Sequence, residues 1–269
     1  MQMHSIKELI GRYDHLKTQR DNWNSHYQEL ADYMLPRKAD VVKSRSKGDK
    51  RMELIFDGTA LQAVDLLSSS LHGLLTSGAA PWFHLDMKDE NIGRDDDVRE
   101  WLQDTSQRML RAFDQSNFGT EVHEMYVDLV VFGTGCMFVE MEEDALRFST
   151  RHISEFYIQE NQFGMVDTVF RSYKSPVRQV VQRFGIENVT DYIAKKNQDK
   201  PDEEIEILHV VIPREDRDKT KVDNKNMPFA SIYIDMQSSA MLSESGFQEF
   251  PYIVPRYLKA TGETMGRSP

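Results

Sequence analysis

The sequence predicts an α+β fold, with long N-terminal helices followed by antiparallel sheet segments. Three observations predict it. Up to about residue 135, apolar residues recur mostly at three- and four-residue intervals, the period of a helix. From Cys136 onward they come in short runs bounded by turn residues, which suits strands. The stretch Glu121–Met141 contains the change itself: a helical pattern, two glycines, then a strand pattern. Two segments follow from this reading. Residues 1–135 are mainly helical with one short strand. Residues 136–269 are mainly β with one or two inserted helices.

The first helix is expected over Ser5–Leu35. Ile6, Leu9, Tyr13, Leu16, Trp23, Tyr27, Leu30 and Met34 follow a three-four alternation, and only Arg20 breaks it. Pro36 ends this helix. The run Arg37–Arg51 then holds seven basic and two acidic residues, with serines, a glycine and little apolar content. It reads as a loop. Arg37, Lys38, Lys43, Arg45, Lys47, Lys50 and Arg51 are candidates for contact with DNA phosphates or with an acidic neighbouring subunit. The alternative reading is a solvated flexible loop. No aromatic residue interleaves the basic ones, so base stacking is not expected.

Asp57 is placed to cap a second helix running to about Thr76, with Leu61, Val64, Leu67, Leu71, Leu74 and Leu75 as its apolar stripe. Pro81–Met87 alternates and predicts a strand anchored by Trp82. A third helix follows over Asp95–Gln115, with Val98, Trp101, Leu102, Met109, Leu110 and Phe113 facing inward. Its three leading aspartates complement the positive end of the helix dipole, so they require no metal.

In Glu121–Phe132 the apolar side chains fall largely on one face, and Glu121, Glu124 and Asp128 on the other. Gly133 and Gly135 stop that helix. A phosphate cradle at Gly133-Thr-Gly135 is disfavoured, because phosphate loops follow a strand and precede a helix, the reverse of the order here. Cys136 opens an apolar strand and reads as a small buried hydrophobe. Leu146–Ile153, Phe156–Gln159 and Met165–Tyr173 predict an antiparallel meander. Ser175-Pro176 predicts a helix start, with serine as cap and proline in the first turn. A shorter helix is expected near Asn188–Lys196. Strands follow over Ile205–Ile212, Ala230–Met236 and Ala240–Gly246, with a charged tip at Arg214–Asn226. Pro251–Leu258 suits an edge strand.

The chain has 269 residues, 33 basic and 44 acidic, for a net charge of −11. That argues against a whole-surface nucleic-acid binder. An acidic wall would nevertheless suit DNA that must slide, since it repels the phosphate backbone. No run approaches the ~20 apolar residues of a membrane span, and the N-terminus lacks a signal peptide's apolar core, so synthesis in the cytoplasm is expected. One cysteine excludes an internal disulfide or a cysteine-rich zinc site. The histidines are scattered, no Gly-x-Ser-x-Gly elbow occurs, and the acidic pairs sit at turns and helix starts. No catalytic residue, metal site or cofactor is expected from these motifs.

Phe132-Gly-Thr-Gly-Cys-Met-Phe138 resembles the central signature of the head-to-tail connector, or portal, proteins of short-tailed bacteriophages. Asp57-Gly-Thr-Ala60, Leu71-His-Gly-Leu-Leu-Thr-Ser77, Pro81-Trp-Phe83, Phe118-Gly119 and Phe250-Pro-Tyr-Ile-Val-Pro-Arg256 are similar to the same family in the same order. The resemblance implies a wing-like fold and a structural subunit of a dodecameric ring at one capsid vertex of the virion. It implies the major capsid protein, scaffolding protein, terminase and a tail adaptor as partners, with double-stranded DNA passing through the channel and no membrane. Family members are longer and continue into stem, clip and crown. This chain is therefore expected to correspond to the N-terminal wing, ending near the first stem helix. Two alternatives stand beside it: a metal-dependent phage nuclease using the scattered carboxylates, and a scaffold or adaptor module that binds partners through the Ser5–Leu35 helix.

Overall fold

The computed structural model describes residues 5–43, 48–93, 95–142, 145–221 and 223–269. In chain order, helix α1 (Ile6–Met34) leads into a 3-10 turn (Pro36–Lys38). Then come α2 (Thr59–Leu75), the short α3 (Glu90–Gly93), α4 (Asp96–Gln115) and α5 (Phe118–Phe132). Strands β1 (Met137–Glu142), β2 (Ala145–Thr150), β3 (Phe156–Glu160) and β4 (Val166–Pro176) follow. Helices α6 (Val177–Phe184) and α7 (Asp191–Asp199) precede β5 (Glu204–Pro213), β6 (Phe229–Asp235), β7 (Ala240–Phe247) and β8 (Tyr252–Ile253). The α+β class read from the sequence is the class observed. By contacts the chain divides into two compact units: residues 1–26 with 154–251, and residues 27–153 with 252–269.

In the first unit, β3-β4-β5-β6-β7 form one antiparallel meander in sequence order. Strand β5 is nearly all apolar from Ile205 to Ile212 because both faces of the sheet are covered. Leu208, Val210 and Ile212 point to one face and pack with Leu9, Tyr13 and Leu16 of α1. Ile205 and Ile207 point to the other and pack with Val177, Val180 and Ile193 of α6 and α7. His209 lies on that second face, 2% exposed, hydrogen-bonded to Ser231 Oγ at 3.0 Å and stacked on Tyr233 at 4.1 Å. It is a satisfied structural histidine.

The stripe of α1 is thus core, so it offers no observation in favour of the adaptor reading. Arg20, the residue out of pattern, is also core. Its guanidinium donates to the carbonyl oxygens of Phe156 and Ser154 and lies 3.9 Å over the Tyr157 ring. The long stem fills the apolar slot while the planar head satisfies two carbonyls. The start of α6 differs from expectation. Pro176 ends β4 and sits at the cap, Val177 begins the helix, and Ser175 makes no capping bond. The first N–H groups of the helix are met by backbone instead of a cap, Val177 N donating to Glu203 O and Arg178 N to Pro201 O. Thr190 does cap α7, accepting from Ile193 N.

In the second unit, α5 packs between α2 and a small sheet of order β2-β1-β8. Trp82 stacks on Phe118 at 5.7 Å and meets Phe113, which makes it the expected anchor. The segment Pro81–Met87 is extended but pairs with no strand. Its Leu85 N–H is taken by Ser106 Oγ of α4 at 2.9 Å, a side-chain bond in place of a ladder bond. Asp57 accepts from Thr59 N and Oγ1, and α2 begins with Gly58 at the cap, one residue later than a direct Asp57 cap would place it. Asp95 caps α4 through Asp97 N as the charge pattern implied. Two residues expected to face inward, and two of the expected α2 stripe, lie outside the core. Trp101 and Met109 of α4, and Leu74 and Leu75 of α2, are exposed. Helical spacing identifies an apolar stripe but cannot say how wide a stripe the neighbours cover.

Two substitutions in α1 test this account by urea unfolding. Gly11→Ala meets nothing within 4 Å and should stabilise by about 0.4–1 kcal/mol. Arg20→Leu restores the apolar spacing yet strands two carbonyls, and should cost about 1–3 kcal/mol.

Candidate functional site

The basic run Arg37–Arg51 lies in the second unit, and its described part is built on the last turns of α1. Gln28 is the template. Its Oε1 accepts from the backbone N–H groups of Val41, Val42 and Lys43 at 2.8–3.2 Å. Its Nε2 donates to Ala39 O at 2.6 Å and Asp32 Oδ1 at 3.0 Å. One buried amide thereby holds backbone groups of four residues, Ala39, Val41, Val42 and Lys43, so that 39–43 needs no helix or strand of its own.

Three of the seven basic candidates are paired within the chain. Lys38 Nζ donates to both carboxylate oxygens of Asp128, at 2.8 and 2.9 Å, and to Glu124 Oε1 at 2.8 Å. Lys43 Nζ meets Asp32 at 2.7 Å. Arg51 bridges Asp40 at 2.6 Å and Arg37 O at 2.9 Å. Arg37 and Lys50 are exposed and have no ion pair among the described residues. Arg45 and Lys47 lie outside the described residues. Sequence counting found the charges but could not see the acids that face them.

Asp128 departs most from its sequence reading. Placed on the polar face of its helix by spacing, it is 1% exposed. Burial pushes its carboxyl above the ordinary carboxylate range. The charges of Lys38 and then His152 pull it back, and Glu124 adds to the rise. His152, expected in a strand, follows β2 instead and contacts Lys38 O at 2.9 Å. The Lys-Asp-Glu-His group could be mistaken for a catalytic cluster. Asp128 is buried in it and Lys38 largely so, each satisfied by the other, while Glu124 reaches toward solvent with its side chain 45% exposed.

At the C-terminal end of α5, little more than one turn beyond Asp128, lies the Gly-Thr-Gly turn. Gly133 ends the helix with φ +74°, the left-handed region that glycine accepts. Its carbonyl accepts from Tyr257 N at 2.9 Å, and Gly135 N donates to Pro255 O at 3.1 Å. Thr134 is fully buried and its Oγ1 accepts from Gly266 N at 2.8 Å. A side chain on Gly133 would run into the backbone of Arg267, and one on Gly135 would come within 2.7 Å of Met125 Cγ. The turn clasps the segment 255–267, itself closed by paired bonds between Leu258 and Arg267. Gly133 stops the helix, as the sequence reading held, both glycines also permit close backbone approach, and Cys136 beside them is a buried thiol outside any disulfide. Among the described residues no group of three or more His, Cys, Asp or Glu is placed to hold a metal ion. Glu143, of the pair Glu142-Glu143, lies outside the described residues.

A model of the family described as "Bacteriophage head to tail connecting protein" matches residues 6–269. The chain belongs to this head-to-tail connecting protein family. It is 31% identical over 268 residues to the "Probable portal protein" of Bordetella phage BPP-1, covering 98% of this chain and 48% of that protein. It is 34% identical over 256 residues to the "Portal protein" of Salmonella phage epsilon15, covering 93% of this chain and 46% of that protein. The chain spans about half the length of the curated relatives it matches. The stretches that carry the connecting-protein resemblance gather around α5, all but Phe250-Pro251 in the second unit. Thr76 meets Tyr126 OH, Trp82 stacks on Phe118, and Tyr252 packs on Phe138.

The buried pair has a defined signature in urea unfolding. Asp128→Ala leaves Lys38 buried beside Glu124 alone and should cost about 3–5 kcal/mol, while Lys38→Met with Asp128→Leu together should recover most of it. A raised carboxylate pKa means that Asp128 contributes fully below its unfolded pKa and loses that contribution as pH rises through the folded value. Lys38→Met alone should therefore steepen the loss of stability from acid to neutral pH. The double variant should remove that dependence. Gly133→Ala, strained at positive φ and against Arg267, should unfold at markedly lower urea than wild type.

Proposed function

We propose that this chain is the N-terminal wing part of a portal subunit, a structural component of the ring through which viral DNA is packaged and ejected. The observation that carries this is the family match across nearly the whole chain. It is supported by the gathering of the family-like stretches around one buried helix rather than around a reactive group. In this reading residues 1–135 are the mainly helical and 136–269 the mainly β part of the wing. Subunits associate head-to-tail into a closed ring, a dodecamer, leaving an axial channel. The ring is made in the host cytoplasm and sits at one capsid vertex. There it meets the major capsid protein and scaffolding protein, then the terminase, then a tail adaptor. The work of DNA movement belongs to the terminase, and the portal's part is geometric. Nothing among the described residues favours the nuclease alternative, since no acids converge on a metal site.

Within this reading the basic segment has a division of labour. Lys38, Lys43 and Arg51 are paired with acids and hold the segment in place. Arg37 and Lys50, exposed and outside these pairs, are the positions left among the described residues for contact with DNA or with an acidic neighbour, and Arg45 and Lys47 stand beside them as candidates from the sequence.

Electron microscopy of the purified chain and of the complete reading frame, with solution mass on the same samples, tests the proposal. Closed rings with a central hole are expected for the complete protein, and a uniform monomer there would overturn the reading. Neutralising Arg37, Arg45, Lys47 and Lys50 to glutamine should weaken DNA retention or subunit contact more at low than at high ionic strength. Unchanged assembly and retention at low salt would reduce the segment to a solvated loop.

A further inference from the structure

The outward face of α2 is unlike that of a solvated helix. Its inner line, Val64 and Ser68 at the centre, packs toward α5. Its outer line carries Thr59, Ala63, Leu66, Ser70, Gly73 and Leu74. Leu66 is 72% and Leu74 83% exposed, and Phe56, just before the helix, is 94% exposed. Asp65 is the one charged residue in the 17 of α2. By contrast α4 shows solvent the ion pairs Asp96–Arg99 and Asp104–Arg108, the usual dress of an exposed face. Apolar surface of this kind, extended and uncharged, marks a contact surface.

The occupant can be argued from charge and from shape. Each copy carries a net charge of −11, so copies brought side by side repel unless they meet where charge is absent. The α2 face is such a place. Its small residues let another backbone come close. The same unit also carries a complementary feature on different elements. A cavity of about 420 Å³ opens between the segment 81–86 and α4, with Pro81, Phe83, Leu85, Leu102 and Leu110 among its walls. It is large enough for an aromatic or leucine side chain. An apolar protrusion and an apolar pocket on separate surfaces of one chain make a heterologous, head-to-tail contact, the kind that closes into a ring.

From these observations we infer that the outward face of α2, with Phe56, packs against the 81–110 region of a second copy of this chain. The inference rests on the ring reading above and names the surface that would build the ring.

The test uses the complete reading frame, with and without Leu66→Arg and Leu74→Arg together, and a photo-reactive benzophenone amino acid at position 66. Both leucines are exposed, so the circular dichroism spectrum should match wild type. Association should weaken about a hundredfold, since two apolar contacts are lost and two charges are placed in a closed interface. Cross-links from position 66 should join two copies and map to peptides within 81–110. Rings that form equally well with both arginines, or cross-links that map elsewhere on a neighbour, would overturn the interface and leave the portal reading standing. Cross-links confined to a single chain, including any to residues beyond Pro269, would show that the rest of the polypeptide covers α2 and would also overturn it. A wild-type protein that stays monomeric would sink both.

Discussion

The second unit depends on one constraint: the C-terminal half of helix α5 has no solvent face. Every residue from Met125 to Phe132 is buried. A helix in that position must be matched on all sides, and the unit can be read as the set of matches. Phe113, Phe118 and Phe148 cluster with Trp82 near its start. Tyr27 of α1 meets Phe132 edge-on at 5.7 Å. Asn117 and Glu121 hydrogen-bond the backbone of β2 at Phe148 and Thr150, which ties the outer strand of the small sheet to the helix start. The only charge in the buried stretch, Asp128, is tolerable because Lys38 meets both of its oxygens.

That pairing explains a feature that charge counting alone would misassign. The basic segment begins with a lysine drawn into the interior and is then stitched down by Gln28, Asp32 and Asp40. An acidic protein thus holds a basic strip close to its own carboxylates, leaving only part of the strip for an outside partner.

The first unit is held differently. Its five-stranded meander is covered on both faces, by the first turns of α1 and by α6 and α7. Arg20 shows the same principle as Asp128 on a smaller scale: a polar group enters a core only where its partners are already fixed. Here they are two carbonyls and an aromatic ring, which accept a guanidinium better than they would accept water.

Much of the fold was legible from residue spacing. The period of α1, the three aspartates opening α4, the glycine stop after α5 and the apolar run of β5 each have a local cause, so local pattern sufficed. The motif at Phe132–Phe138 was also legible, though not its purpose. What the sequence determined by itself was the order and type of most elements, Pro81–Met87 being an exception, the structural nature of Gly133-Thr-Gly135 and the family. Only the tertiary structure decided that Tyr252–Arg256 runs beside that turn, that Asp128 is interior, that three of the seven basic candidates are neutralised at home, and that Leu66 and Leu74 face out. The physical reason is the same in each case. Helical and strand periods are set by neighbours along the chain, whereas burial, pairing and exposure are set by residues far away in sequence, whose approach no local spacing records.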